Sequence, residues 1–170
     1  MRASSVISSL TLLAATVSTA PLVRSRAAQA SDPPFQVSKL VIDTVENGNT
    51  TIKFNVYDPD PLTNATATCS GSWKADTSGN PQTDYELCGN STFAWNFDSF
   101  DSIEKFTLGL EHQFKDPSGS VGDPPYDSVI NFANAVVNTT YIGCEGVGNV
   151  SCKQKKAISA PIYATAAKKR

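Results

Sequence analysis

The residue types that most often carry acid–base or nucleophilic chemistry are sparse in this sequence of 170 residues. His112 is the only histidine, and its spacing of two from Leu110 and Phe114 places it on the apolar face of a predicted strand. A Ser-His-Asp site would need this histidine and a serine in a strained turn, but no Gly-x-Ser-x-Gly motif occurs. We therefore expect His112 to be a partly buried histidine with a satisfied hydrogen bond, and not a catalytic base.

Carboxylates offer a second possible chemistry. Asp98, Asp101 and Glu104 cluster in one predicted connection, over residues 98–104, and Asp123 and Asp127 lie in another. A glycoside hydrolase needs two carboxyl groups about 5 to 9.5 Å apart across a cleft, and a chain of this length leaves little room for a deep groove. The acidic connection also lacks the ligand pattern and the glycine of an EF-hand calcium loop. We expect no enzymatic activity, no metal and no cofactor.

Four cysteines, Cys69, Cys88, Cys144 and Cys152, offer structural chemistry instead. Four cysteines permit three pairings. We favour Cys69 with Cys88 and Cys144 with Cys152, because each pair brackets a polar loop between strand-like runs. A zinc site is the alternative, but no pair has Cys-x2-Cys spacing and the single histidine is remote from the cysteines. If all four are oxidised, no thiolate remains for nucleophilic catalysis.

Aromatic residues concentrate after the second cysteine. Phe93, Trp95 and Phe97 alternate with Ala94 and Asn96, which predicts a strand that buries its aromatic face. Two further aromatic residues stand near predicted turns, and we expect them at an exposed or rim position. They are Trp73 and Phe100. At a rim they could contact a small aromatic or lipid-like ligand, so a carrier function is the alternative to be weighed.

The amino-terminal residues predict export. Arg2 precedes an apolar run over residues 6–17 that is too short to span a bilayer, and residues 18–20 supply small side chains for cleavage. Paired cysteines are the expected state in an oxidising compartment, so we expect a secreted, extracellular protein. The chain then divides into a signal peptide (1–20), a linker or short pro-segment (21–33), a β domain (34–165) and a basic tail (166–170).

Five Asn-x-Ser/Thr motifs fit an exported glycoprotein. They are at Asn49, Asn64, Asn90, Asn138 and Asn149. Asn49 and Asn64 are the strongest candidates because both fall in predicted turns.

Strand signals dominate the rest of the chain. The runs 35–45 and 50–57 flank Asn47-Gly48, the strongest two-residue hairpin signal, and therefore predict an antiparallel hairpin. Further short runs with regular turn signals follow, and the last of them, over residues 155–164, is predicted to be a single strand. A helical turn is possible around residues 129–135, but the flanking β-branched residues favour a strand. The pattern predicts an all-β domain, a compact antiparallel β-barrel or sandwich of short strands.

Several short motifs occur in a fixed order along the chain. They are Thr68-Cys69-Ser70, residues 85–89, Ser91-Thr92-Phe93, residues 96–99, and the closely spaced Cys144 and Cys152. This order resembles the fungal family typified by the major allergen of Alternaria, and the resemblance extends over residues 35–165. It implies a secreted β-barrel with two intrachain disulfides, a role for some members as elicitors or effectors that provoke plant defence, and no established enzymatic mechanism.

One feature of that family is missing. Some members carry an additional cysteine near the mature amino terminus that links two barrels, but residues 31–35 read Ser-Asp-Pro-Pro-Phe. We therefore expect a monomer or a non-covalent dimer, and no covalent dimer.

The combined prediction is a secreted, non-enzymatic fungal protein, an extracellular effector, elicitor or allergen-like protein that a host recognises. A carrier of a small ligand is the alternative, and a small secreted hydrolase is less favoured. Loops carry function on rigid scaffolds, so we expect residues 74–83 and 116–125 to be recognition surfaces. A host protein or a small apolar ligand is the expected partner. The net charge of −2 argues against nucleic acid, and no later run is apolar enough for a membrane.

Overall fold

The computed structural model describes residues 32–75, 81–117 and 128–168, and it describes residues 24–27 and 168 by their backbone alone. Over these residues the chain forms twelve strands and no helix. Every strand pairing among them is antiparallel. The prediction of an all-β domain is therefore confirmed, including the strand at residues 129–135 where a helical turn was the alternative.

The strands form two sheets. Sheet A has the spatial order β1 (Arg24–Ala27), β12 (Ile162–Lys168), β8 (Ser128–Val137), β7 (Lys105–Lys115), β6 (Phe93–Ser102) and β5 (Glu86–Leu87). Sheet B has the order β4 (Ala65–Lys74), β3 (Asn49–Asp58), β2 (Phe35–Thr44), β10 (Val150–Gln154) and β9 (Ile142–Glu145), with β11 (Ile158–Ala160) also paired to β2. No backbone pairing joins the two sheets within the described residues. The fold is thus a sandwich and not a closed barrel.

The predicted hairpin of β2 and β3 forms, but its turn is not the two-residue Asn-Gly turn that the sequence predicts. Asn47 has a φ of 56°, and the amide of Gly48 donates to the carbonyl of Val45 at 2.9 Å. The turn therefore runs from Val45 to Gly48 with Glu46 and Asn47 at its centre, and Asn47, not Gly48, takes the positive φ. The turn sets β2 and β3 in register from Thr44 opposite Thr50.

Three boundaries differ from the sequence prediction. The acidic stretch 98–104 is not a connection, because β6 continues to Ser102 and only Ile103 and Glu104 form the turn. Two irregularities in the pairing of β6 with β7 allow this polar stretch to continue as a strand. The run 155–164 is not one strand: Pro161 separates β11 in sheet B from β12 in sheet A. Strand β1 lies within the segment predicted to be a linker or pro-segment, and its backbone pairs with β12.

The core between the sheets is filled by the aromatic strand β6 and its neighbours. Phe93, Trp95 and Phe97 are all fully buried, as the alternation predicts. The indole of Trp95 meets Phe54 of sheet B edge-on, with ring centroids 5.4 Å apart, and it meets Phe97 at the same separation. Each side chain of this size contributes a large buried apolar area, so these rings are major contributors to the hydrophobic stabilisation of the domain.

Both disulfides join the cysteines predicted to pair. Cys69 on β4 is bonded to Cys88, which follows β5, so this bond links the edge strands of the two sheets. Cys144 and Cys152 lie directly opposite each other on β9 and β10, so the second bond staples neighbouring strands of sheet B. On the opposite side of the sandwich, the chain itself crosses between the sheets at Pro161.

The position of the first disulfide generates a stability prediction. The double substitution Cys69→Ser with Cys88→Ser should lower the free energy of unfolding by about 3 kcal/mol, because the bond closes a loop of 19 residues and holds the two sheet edges together. The urea midpoint and resistance to protease measure the loss. The matched control, Cys144→Ser with Cys152→Ser, opens a loop of 8 residues within one sheet and should cost less. An unchanged midpoint after removal of the first bond would contradict this assignment.

Candidate functional site

His112 is more deeply buried than the sequence predicts. Its side chain on β7 is only 2% exposed, so His112 is fully buried and not partly buried as predicted. The predicted hydrogen bonding is confirmed. Nδ1 lies 2.7 Å from Oδ2 of Asp58, the last residue of β3, and Nε2 lies 3.1 Å from the hydroxyl of Thr92. The ring stacks on Phe93 with centroids 3.8 Å apart.

The carboxylate, imidazole and hydroxyl are hydrogen-bonded in the same order as in a catalytic triad, but a substrate cannot reach them. Asp58 is 0% exposed, and its second oxygen accepts from the amide of Asp60 at 3.0 Å. Both imidazole nitrogens already have partners, and the ring contacts Phe35 and Phe93. The pair links sheet A to sheet B within the core, so its evident role is to satisfy two buried polar side chains.

Two carboxylates of the predicted acidic cluster have separate partners. Asp101 pairs with Lys105 at 2.7 Å, and Asp98 accepts from the amide of Asn134 at 3.4 Å. Asp123 and Asp127 lie outside the described residues, as do residues 76–80 and 118–125 of the two predicted recognition loops. Among the residues that the structure describes, no group of three or more potential ligands could hold a metal ion, and no helix is long and apolar enough to span a bilayer.

Trp73 and Phe100 occupy the margin of the core. Both are half-buried, and their rings lie 5.3 and 5.0 Å from the ring of Phe97. They are also in contact with each other, with centroids 5.8 Å apart. A role for them in ligand binding stays a prediction.

The five glycosylation candidates differ in how their side chains are engaged. Asn64 accepts a hydrogen bond from the Tyr57 hydroxyl, and Asn138 accepts one from the amide of Thr140. Asn149 accepts from the amide of Glu46 and so ties the β9–β10 loop to the first hairpin. Asn49 and Asn90 are exposed.

The outward faces of the two sheets differ in character. On sheet B the outward residues of β3 and β4 are small, polar or charged apart from Tyr57, as Lys53 and Ser70 illustrate, and some of them line a shallow depression. On sheet A they include four of the eight large hydrophobic side chains that are exposed among the described residues: Tyr85, Leu87, Val136 and Tyr163. An exposed concentration of this kind on one face is typical of an interaction site.

At the centre of that surface lies a cluster that we call the tyrosine face. It consists of Tyr85, Asn96, Gly109, Glu111, Asn134 and Tyr163. Strand register assembles it: Gly109 on β7 lies between Asn96 on β6 and Asn134 on β8 in a single row across the sheet. Tyr85 immediately precedes β5, and Tyr163 lies at an irregularity in the pairing of β12 with β8.

The two tyrosines reach towards each other above Gly109. The Tyr85 hydroxyl is 3.1 Å from the point that a Cβ atom on Gly109 would occupy, and it interacts with the hydroxyl of Tyr163. The Asn96 carbonyl oxygen lies even closer to the same point, so only glycine leaves room for both neighbours. The ring of Phe132 lies beside that of Tyr163, with centroids 6.4 Å apart.

The tyrosine face is rich in acceptors and in negative charge. The side-chain oxygens of Asn96 and Asn134 are buried and have no hydrogen-bond partner among the described residues. Burial, followed by the negative charges of Tyr163, Glu111 and Asp98, raises the pKa of the Tyr85 hydroxyl above its ordinary value of 10.0. Burial also raises the pKa of Glu111, whose register neighbours are Ala94 and Phe132.

Sequence reasoning did not single out the tyrosine face. Tyr85, Glu111 and Tyr163 stand far apart in the chain, and each alone is an ordinary strand residue. The alternation of side chains along each strand could have indicated it. Alternation predicts which residues face solvent, and aromatic residues at those positions depart from the usual pattern of apolar side chains facing the core. The register that brings the three together is not encoded in any one strand.

The buried histidine pair generates a second stability prediction. Asp58→Ala should reduce the free energy of unfolding by about 3 kcal/mol, because it leaves the imidazole of His112 buried without its carboxylate partner. Chemical denaturation checks this loss. The control is Asp43→Ala, which removes an exposed strand carboxylate that accepts from Ser151, and it should cost less than about 1 kcal/mol. If the two variants lost the same free energy of unfolding, the buried pair would stabilise the fold no more than an exposed hydrogen bond does.

The raised pKa of Glu111 generates a prediction about pH. A carboxyl whose pKa is higher in the folded state favours folding below its ordinary pKa of 4.5, and that contribution is lost as the pH rises through the folded-state pKa. Glu111→Gln should therefore raise the melting temperature at pH 7, and the gain should vanish below about pH 4. Melting curves between pH 3 and 8 measure the difference, with Glu104→Gln at an exposed turn as the control. A gain independent of pH would contradict this reasoning.

Comparisons of the chain with protein-family models, with curated proteins and with solved structures give no match.

Proposed function

We propose that this chain is a secreted, non-enzymatic fungal β-sandwich protein that acts outside the cell by binding, and that a host recognises it as an effector or elicitor. The observation that supports this proposal best is the contrast between the two kinds of candidate site. The one histidine is enclosed in the core, whereas a cluster of tyrosine, amide and carboxylate side chains is displayed on a rigid outer sheet.

Secretion is supported by the two disulfides together with the predicted signal peptide over residues 1–20. Disulfides form and persist in oxidising compartments, and both bonds here join cysteines of one chain without a free thiol among the described residues. A scaffold of this kind retains its shape outside the cell, where proteases act on transiently opened chains.

A binding role is supported by the outer surface of sheet A. Tyrosine is enriched at recognition sites because it offers a large rigid ring and a hydroxyl at a small loss of conformational entropy. Tyr163 is 54% exposed and Tyr85 is 38% exposed, so both rings are accessible to a partner. The host-recognition part of the proposal rests on the resemblance to the Alternaria allergen family.

A carrier with an internal ligand is less well supported. The space between the sheets is occupied by large side chains, among them Phe35, Phe54 and Trp95, each of which is fully buried. A small aromatic or lipid-like ligand would therefore have to bind at the margin near Trp73 and Phe100, or on an outer face.

The elicitor role is tested by infiltration of the purified, disulfide-bonded protein into plant leaf. We expect a defence response to the folded protein and none to a reduced and alkylated sample, because the recognised surface depends on the folded sheets. The alkylated sample also controls for contaminants that survive purification. Silence from both samples across several host species would refute the elicitor role, and equal responses would show that a linear epitope or a contaminant is responsible.

A further inference from the structure

The aromatic rings of the tyrosine face form a band across the strands of sheet A. Tyr85 starts beside β5 and reaches β7, while Tyr163 and the neighbouring Phe132 occupy the β12 and β8 side. Five strands lie between the ends of this band, β5, β6, β7, β8 and β12, and adjacent strands are about 4.8 Å apart. The band is therefore about 19 Å long, which suits an extended ligand with several linked rings better than a single small molecule.

The polar groups beside these rings are mostly hydrogen-bond acceptors. Asp98 is exposed and Glu111 is half-buried, so both carboxylates can be reached from solvent, whereas the side-chain oxygens of Asn96 and Asn134 are enclosed by neighbouring protein atoms. A ligand that carries many hydroxyl donors would complement such a surface.

The charge of the surface argues against an anionic ligand. Between residues 107 and 113 of β7, and at the outward positions of β8, the described side chains include no lysine or arginine. Lys105 and Lys115 stand at the two ends of β7, and Lys105 is already paired with Asp101. An anionic polymer would meet Glu111 and Asp98 without a compensating cation at the centre of the site.

We propose that the tyrosine face binds a neutral, hydroxyl-rich polysaccharide. The apolar C–H faces of the sugar rings would stack on Tyr163, Phe132 and Tyr85, and the sugar hydroxyls would donate to the carboxylates of Glu111 and Asp98. Gly109 leaves room for the Asn96 side chain and the Tyr85 hydroxyl to lie across the middle of the band. This inference deepens the proposed extracellular binding function, because it names the class of ligand for the same surface, and it rests on that function.

The test is co-sedimentation of the disulfide-bonded protein with insoluble chitin, cellulose, β-1,3-glucan and xylan. Binding to an anionic polysaccharide is tested separately by affinity electrophoresis in a gel that contains polygalacturonate. We expect retention by at least one neutral polymer and no retardation by polygalacturonate. Retention should persist at about 0.5 M salt, because ring stacking and hydrogen bonds are not screened as ion pairs are.

Three variants locate the binding to the tyrosine face. Tyr163→Ala removes an exposed ring and should weaken retention at least tenfold, whereas Tyr163→Phe keeps the ring and should change it by about twofold or less. The matched control is Tyr57→Ala, since Tyr57 is a strand tyrosine of sheet B that is 37% exposed. Circular dichroism and melting curves show whether each variant is folded. Both tyrosines are substantially exposed, so we expect all three variants to fold.

Three results would overturn the inference: no retention by any neutral polymer, equal loss in Tyr57→Ala and Tyr163→Ala, or preferential binding to polygalacturonate. The leaf assay separates this inference from the proposed function. A defence response without polysaccharide binding overturns the inference alone. Polysaccharide binding without a defence response overturns the elicitor role alone.

Discussion

The packing of the Trp95 indole between the two sheets is the contact on which the rest of the structure depends. The ring meets Phe54 of the opposite sheet and Phe97 of its own strand. It also lies against the backbone of β4 at Gly71, where a Cβ atom would come within 2.7 Å of the indole. Cys69, two residues earlier on β4, is bonded to Cys88 at the edge of sheet A. Aromatic packing and a covalent bond therefore hold the same side of the sandwich, and each maintains the geometry that the other needs.

The exposed surface follows from this internal packing. Side chains alternate along a strand, so burial of Phe93, Trp95 and Phe97 turns Asn96 outward on β6. The same register sets Gly109 beside Asn96 and Asn134 beside Gly109. A shift by one residue would bury the outward residues and expose the aromatic core, which makes this register strongly preferred. The proposed polysaccharide site thus inherits its rigidity from the hydrophobic core below it.

The buried pair of His112 and Asp58 shows why a catalytic residue type does not establish catalysis. The histidine lies on sheet A and the carboxylate on sheet B, and their hydrogen bond crosses the core. Its connectivity to Thr92 matches that of a triad, but both ring nitrogens are engaged and the ring is stacked on Phe93. Among the described residues, the side chains available to a ligand therefore lie on the outer surface and at the margin of the core, not at this histidine.

The sequence by itself determined the fold class, the first hairpin, the two disulfide pairings and the buried aromatic strand. Each of these depends on local signals: Asn47-Gly48 in a turn, cysteines that bracket short loops, and side chains that alternate with a period of two. Only the tertiary structure decided that β6 extends through the acidic stretch, that Pro161 divides the last strand between the sheets, and that Asp58 is the partner of His112. It also decided that Tyr85 and Tyr163 meet above Gly109. These features depend on strand order and register between segments distant in the chain, and no local pattern specifies which strands become neighbours.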